Sequence, residues 1–234
     1  MNAKLPADTA RAANAFLADL PDSAYRALAP ALSDVTVSAG EVLYEAGRTI
    51  DALYFPHDCL VCELAVAEGR MTLEVGLVGN EGVLGALQAQ EGSSMPLRAI
   101  VQRAGHASRI GRRQFLQALA HDGALQQALQ RYTAHLLAEA IQTALCSRFH
   151  VLEARLARSL LVTRERLRSD RFHLTHEFLA HALGVRRVGV TKAASALQQQ
   201  GLIDYSRGNI EIVDADGLAA ASCTCYTQAK PVLV

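Results

Sequence analysis

The chain has 234 residues, half of them apolar, which is enough to bury one large core or two ordinary ones. No apolar run approaches the roughly 20 residues of a membrane-spanning helix, and the amphipathic, Ala-rich N-terminus lacks a secretory apolar core, so a soluble cytoplasmic protein without a membrane partner is expected. The 23 Lys/Arg and 23 Asp/Glu cancel, but between Arg155 and Lys192 there are 9 basic residues against 3 acidic, a local excess suited to phosphate neutralisation.

Residues Thr9 to Leu20 and Ser23 to Ala31 read as short helices parted by Pro21, with a further break at Pro30. From Asp34 to about Arg109 the pattern turns to short β-rich segments: Val35–Val37, Val42–Tyr44, Ala52–Phe55, Leu60–Val66, Met71–Leu77 and Ala99–Gln102. Turn residues lie between them at Ala39-Gly40, Gly47, Pro56-His57-Asp58, Glu68-Gly69 and Gly79-Asn80-Glu81-Gly82. Short strands with regular turns predict an antiparallel barrel or jelly roll.

A long helix is predicted from about Ala124 to Phe149, with no internal Gly or Pro. Ala124, Leu125, Ala128, Leu129, Tyr132, Leu136, Leu137, Ala140, Ile141, Ala144 and Leu145 form a broad apolar stripe along it. One small barrel does not cover a helix of that length, so part of the stripe is expected to meet a second copy of itself; a helix buried wholly within one chain is the alternative. Val151 to about Arg168 predicts a further amphipathic helix. Cys146 to His150, between the two, has no strong breaker, and a hinge there is inferred from the organisation of the whole.

Leu174 to Ile203, LTHEFLAHALGVRRVGVTKAASALQQQGLI, reads as two helices, a tight turn between them and a following strand. Thr175 can cap the first helix, and Glu177 falls in its first turn, where a carboxylate meets the positive helix end. Gly184 gives the freedom a sharp turn needs, and Val185 can plug the space between the helices. In the second helix Val190, Ala193, Ala194 and Leu197 face inward, while Arg187, Thr191 and Lys192 face out beside Arg186. Basic first turns suit a helix whose N-terminus enters the major groove, where Arg donates two hydrogen bonds to guanine. Gly189 inside this helix costs of order 1 kcal/mol in propensity, which suggests close backbone approach to DNA or to the first helix. Leu202, Ile203 and Tyr205, then Ser206-Arg207-Gly208-Asn209, then Ile210 and Ile212 around Glu211, predict a β-hairpin tipped by Arg207. The whole is a winged helix-turn-helix, and with a two-fold partner it would reach palindromic half-sites one helical turn apart.

The five cysteines, Cys59, Cys62, Cys146, Cys223 and Cys225, are an odd and sparse set, so no disulfide framework is expected. Cys59 and Cys62 have thiolate-site spacing but stand in a predicted strand, where residues three apart face opposite ways. Cys223 and Cys225 are expected near the surface, and neither an iron-sulfur cluster nor another metal site is expected. His57, His106, His121 and His135 lack ligand spacing. The main competing function is a cupin-like barrel enzyme, or a ligand-binding protein with a degenerate winged helix. A cupin site needs two or three histidines and a carboxylate inside the barrel, and the segment has only His57 and His106, in no H-x-H pair. No G-x-S-x-G elbow is present, so no catalytic residue and no enzyme activity are expected.

The order of parts, the segment LTHEFLAHALGVRRVGVTKAASALQQQGLI, the wing YSRGNIEIVD and the GEVLYEAG segment from Gly40 to Gly47 together resemble the Crp/Fnr (cyclic-AMP receptor / fumarate-nitrate regulator) superfamily of bacterial transcription factors. The resemblance implies an α+β chain: an N-terminal cyclic-nucleotide-binding-like β jelly-roll barrel over 1–122, a dimerisation helix over 123–149 and a C-terminal winged helix-turn-helix over 150–234. It implies a homodimer that binds double-stranded promoter DNA, with RNA polymerase as a further partner and a barrel that senses an effector. Arg187 and Lys192 fall at its base-reading positions, Arg186, Thr191 and Thr175 at phosphate-contacting ones, and Arg207 at the wing tip. Val188 stands where many relatives hold an acidic base reader, which suits contact with a thymine methyl. In relatives that bind cyclic nucleotides a Gly-Glu-Leu turn and an Arg-Ser or Arg-Ala pair hold ribose and phosphate. Here Gly85-Ala86-Leu87 lacks the glutamate, while Arg98-Ala99 matches the pair. An arginine with backbone amides still suits an anion, but a sugar hydroxyl loses its carboxylate partner, so no resident cofactor is expected and the effector is left open.

Overall fold

The computed structural model describes residues 7–67, 71–89 and 97–228, which leaves the expected Glu68-Gly69 turn outside the described residues. In chain order they form α1 (Ala7–Ala13), α2 (Ala15–Asp19), α3 (Asp22–Leu28), a 3-10 turn (Ala29–Ala31), β1 (Ser33–Val37), β2 (Val42–Tyr44), β3 (Ala52–Pro56), β4 (Leu60–Val66) and β5 (Thr72–Val78). Then come α4 (Ala86–Ala89), β6 (Leu97–Arg103), β7 (Gly105–Gly111), α5 (Arg112–His121), α6 (Gly123–Phe149) and α7 (Leu152–Leu167). The C-terminal elements are β8 (Arg171–His173), α8 (His176–Leu183), α9 (Arg187–Gln199), β9 (Ile203–Ser206), β10 (Asn209–Ile212), α10 (Ala215–Ala221) and α11 (Cys225–Gln228). They divide into two compact units, 1–63 with 77–136 and 64–76 with 137–234.

The first unit holds the antiparallel sheet β1-β7-β3 and, from a second sheet of order β2-β6-β4-β5, the antiparallel pair β2-β6 and the start of β4. Val37, Leu53, Phe55 and Ile110 from the first sheet share one core with Tyr44, Val61, Ala99 and Val101 from the second, and Leu17, Leu28, Phe115 and Leu125 of the helices join them. The arrangement is the expected jelly-roll type, with barrel-like sheets that do not close into a continuous barrel among the described residues. β7 and α5 were not among the predicted elements. Gly105, Gly111, Arg109 and Arg112 interrupt the apolar alternation that would mark a strand and then a helix.

Asn14 breaks the predicted Thr9–Leu20 helix in two, and its side chain is fully buried. It caps α2, with its Oδ1 accepting from the Leu17 N–H at 3.1 Å, while its amide donates to the carbonyls of Pro56 and Gly82, each at 2.9 Å. One side chain thus satisfies three backbone groups on three segments, which is why a polar residue is tolerated in the core.

The second unit has its own core, in which α7, α8 and α9 pack with the three-stranded sheet β8-β10-β9. Leu156, Val190, Leu197 and Leu218 are completely buried there. Strand β8 was not predicted; three residues, of which only Phe172 is buried, carry too little pattern. Cys223 and Cys225, expected near the surface, are 7% and 1% exposed, because the turn between α10 and α11 folds them against Cys146 and Ala154. No helix among the described residues is long and apolar enough to cross a membrane.

Asn14→Ala removes an N-cap and strands two buried carbonyls, so we expect the first unit to lose about 2–4 kcal/mol, read as a lower denaturant midpoint at unchanged slope.

Candidate nucleic-acid interface

The geometry of the candidate site starts with the turn between α8 and α9. Thr175 caps α8 as predicted, its hydroxyl oxygen accepting from the Phe178 N–H at 3.1 Å. At the other end Gly184 takes a left-handed conformation, φ 64° and ψ 38°. The Val185 N–H then reaches back to the Ala180 carbonyl at 2.9 Å and the Gly184 N–H to that of His181 at 3.3 Å. This pair of reversed bonds is a Schellman motif, which satisfies the last carbonyls of α8 and lets the chain reverse. Val185 packs against the core of the unit, the plug the sequence predicted.

Helix α9 buries Val190, Ala193, Ala194 and Leu197 and leaves Arg187, Val188, Thr191 and Lys192 outside. Within the protein Gly189 faces α7 and not the first helix of the pair: an added Cβ there would sit 3.0 Å from Cδ2 of Leu152. The missing side chain therefore serves the close crossing of α7 and α9. No acidic residue lies in the first turn of α9, and its N-cap, Arg186, makes no side-chain cap. The helix itself thus supplies no anion to its first-turn N–H groups or to the positive end of its dipole.

Thr175, Arg186, Arg187, Val188, Thr191, Lys192 and Arg207 are all exposed. The distribution of ion pairs separates the basic residues of this unit into two sets. Arg166 pairs with Glu139 at 2.6 Å, Arg171 with Glu211 at 2.7 Å, and Arg164 with Asp170, while Arg155 donates to the Leu183 carbonyl at 2.6 Å. Among the described residues no carboxylate pairs with Arg186, Arg187, Lys192 or Arg207. Arg148 and Arg168 are likewise exposed without a carboxylate partner, but the cations of α9 and the wing tip are the ones grouped at the helix-turn-helix.

The two threonines differ. Thr175 accepts as a cap and keeps its own proton for a further acceptor. Thr191 donates to the Arg187 carbonyl at 3.1 Å and lies 3.0 Å from Nδ1 of His176. A hydroxyl has one proton, so Thr191 must release an internal bond to donate to a phosphate. His176 was missed in the sequence, and it joins three elements. Its ring stacks on Tyr205 of β9 at a centroid distance of 4.1 Å and an interplanar angle of 11°, while Thr191 ties it to α9. Burial first, and the Arg187 charge second, lower its pKa from 6.5. No local signal marks it, since its partners lie 15 and 29 residues downstream.

The wing is a two-residue hairpin. Ser206 faces Asn209 in register, and Arg207 and Gly208 both have positive φ, 51° and 89°, the signature of a type I′ turn. A Cβ on Gly208 would fall 2.5 Å from the His173 ring, so glycine is required both by its conformation and by this contact.

The candidate effector residues lie in the first unit. Gly85 has φ +93°, and a Cβ there would come within 2.6 Å of the Tyr44 hydroxyl and 2.9 Å of Ile50. The Tyr44 hydroxyl in turn lies 2.8 Å from the Ala52 carbonyl. Ala86 and Ala99 are buried, Leu87 is partly buried, and the half-exposed Arg98 pairs with Glu45 at 3.3 Å. The sequence reading also passed over Glu63, buried in β4, which accepts a hydrogen bond from the buried Gln88 at 3.3 Å. The two barrel histidines have separate partners: His57 meets Ser108 at 3.0 Å and His106 meets Asp58 at 3.2 Å.

Residues 154–221 match the model of the Crp-like helix-turn-helix domain. Solved structures resemble the chain over most of its length. A CRP/FNR-family transcriptional regulator from Thermus thermophilus is 26% identical, with a TM-score of 0.67 over 81% of this chain and 97% of that one. FixK2 from Bradyrhizobium japonicum is 18% identical, with a TM-score of 0.71 over 82% and 98%. The c-di-GMP responsive global regulator CLP from Xanthomonas campestris is 14% identical, with a TM-score of 0.68 over 82% and 99%. No curated protein sequence matches the chain. Residues 154–221 thus carry a Crp-like helix-turn-helix domain, and the chain shares the fold of solved Crp/Fnr-family transcriptional regulators.

Proposed function

We propose that this regulator binds promoter DNA as a homodimer, on palindromic sites, through α9 and the β9–β10 wing. The observation that carries the reading is the set of exposed cations, Arg186, Arg187, Lys192 and Arg207, without carboxylate partners, on a unit in which Arg155, Arg164, Arg166 and Arg171 are engaged internally. Arg187 and Lys192 read base edges, Val188, 60% exposed, meets a thymine methyl, and Arg186, Thr175, Thr191 and Arg207 contact the backbone.

Dimerisation is supported by α6. Leu137, Ile141, Leu145 and Phe149 are 61%, 54%, 46% and 70% exposed, and their four-residue spacing puts them along one side of the helix. Such a stripe on an otherwise well-buried chain marks a protein contact, and the partner that repeats the same stripe is a second copy. RNA polymerase is the further partner of the DNA-bound dimer in this reading.

Effector sensing falls to the first unit, at Gly85–Leu87 and Arg98–Ala99. Arg98 must leave Glu45 to take an anion, and Ala86 gives a ribose hydroxyl no carboxylate, which favours an effector other than a cyclic mononucleotide. Its binding acts as a population shift: the state in which both recognition helices reach their grooves at once gains occupancy.

Fluorescence anisotropy against the protein's own upstream DNA, at fixed salt, with and without cyclic AMP and cyclic di-GMP, tests these assignments. Arg187→Ala is expected to cost about 1–3 kcal/mol and to relax preference at one base position, whereas Arg186→Ala weakens all sequences alike and lowers the salt slope by about one. Equal affinity for every sequence in the wild type would refute the reading. Ile141→Arg is expected to yield a monomer by analytical ultracentrifugation and to lose tight binding to the palindrome; an unchanged dimer would remove α6 from the interface. NMR titration is expected to find the His176 ring changing charge below 6.5. Because its folded pKa is depressed, the contribution of neutral His176 to stability is present above 6.5 and is lost as pH falls through the folded value.

A further inference from the structure

Four side chains that the DNA-binding reading does not use converge in the second unit. The Sγ atoms of Cys146, Cys223 and Cys225 and a ring nitrogen of His150 all lie within 4.8 Å of one another. Cys146 and Cys223 are separated by 3.5 Å, and Cys225 Sγ lies 3.4 Å from Nδ1 of His150. The three cysteines are buried and the histidine is partly so.

The local structure explains the convergence. Cys146 and His150 are four residues apart at the C-terminal end of α6, the spacing that puts two side chains on one face. Cys223 and Cys225 flank the start of α11, in a turn where the Tyr226 N–H reaches back to the Cys223 carbonyl at 3.0 Å. α10 and α11 both pack on α7, which brings this turn to the end of α6.

We propose that Cys146, His150, Cys223 and Cys225 form a mononuclear Cys3His site for a tetrahedral, thiolate-preferring divalent cation of the zinc class. With Zn–S bonds of about 2.3 Å and Zn–N bonds of about 2.05 Å, tetrahedral geometry places two sulfurs roughly 3.8 Å apart and a sulfur and a nitrogen roughly 3.6 Å apart, close to the 3.5 Å between the sulfurs of Cys146 and Cys223 and the 3.4 Å between Cys225 Sγ and His150 Nδ1. An iron-sulfur cluster spreads its thiolates over several irons and needs a wider set than one confined within 4.8 Å. A disulfide between Cys146 and Cys223 would require their sulfurs to close from 3.5 Å to about 2.05 Å, and it would give Cys225 and His150 no role. Zinc-class cations bind the thiolate form, so three protons leave as the ion enters, and the site then carries one net negative charge. The Nε–H of Arg158, on α7, is buried without an acceptor among the described residues. Four protein ligands leave no open position, so the ion is structural. It ties the end of α6 to the segment that follows the wing, a link the apolar contact of three cysteines and Ala154 makes only weakly. The expectation of no metal site, drawn from sequence spacing, is revised accordingly.

The test uses the full-length protein purified under reductant. Elemental analysis is expected to find one zinc per chain, and cobalt substitution the visible spectrum of a tetrahedral thiolate site. Cys223→Ser and His150→Ala are each expected to weaken zinc by more than roughly 100-fold, beyond the range for outer-shell partners, while Cys62→Ala keeps it. Should a variant fail to fold, the wild-type protein stripped by chelator and titrated with zinc gives the same answer: one equivalent binds and raises the thermal midpoint. Several results would overturn the proposal: no stoichiometric zinc under reductant, an unchanged affinity in Cys223→Ser, an iron-sulfur spectrum, or a Cys146–Cys223 disulfide with no metal uptake after its reduction. These readouts do not depend on DNA binding.

Discussion

The crossing of α7 and α9 is the contact on which the DNA-binding unit depends. Val190, Ala193, Ala194 and Leu197 bury one side of α9, and Leu156, Ala157, Leu160 and Leu161 bury one side of α7. Gly189, set against Leu152, permits the close approach. Each fully buried aliphatic side chain contributes about 1.5–3 kcal/mol, more than enough to offset the weak helix propensity of glycine. With that face committed, the rotation of α9 about its axis is determined. Arg187, Thr191 and Lys192 then have no direction but outward, and the basic surface is a consequence of apolar packing.

Electrostatics refine what packing begins. A simple tally of charge makes the stretch from Arg155 to Lys192 uniformly basic, yet the folded chain sorts it. Arg166, only 11% exposed at its side chain, Arg164 and Arg171 meet carboxylates, and Arg155 holds the end of α8. Those residues orient helices and strands. Arg158 and Arg168 join neither group, while the four at α9 and the wing stay solvated and unpaired, which is the state in which a cation can exchange water and counterions for phosphate. His176 stands between the two sets, since its stack on Tyr205 and its link to Thr191 connect the wing to α9.

The first unit shows a different economy of polar groups. Asn14 satisfies three backbone groups in the core, and Tyr44 lies against the Ala52 carbonyl while crowding Gly85. The conformation of the Gly85 turn is therefore held by its neighbours. The Glu45–Arg98 pair does the same for the one arginine of the candidate anion site.

Periodicity and turn chemistry in the sequence were sufficient for α6, α7, the α8–α9 pair, the wing turn and the jelly-roll class, because each rests on contacts within a few residues. Thr175, Gly184 and Gly208 act through their own backbone geometry, and so they are legible one at a time. The strands β7 and β8, the break at Asn14 and the role of His176 were not legible, since each depends on partners tens of residues away that no local pattern encodes. The cysteines make the same point most sharply: Cys-x3-His at 146–150 and Cys-x-Cys at 223–225 are weak signals apart. Only the packing of α10 and α11 on α7 decided that they meet, because convergence of side chains from distant segments is a property of the folded core and not of spacing along the chain.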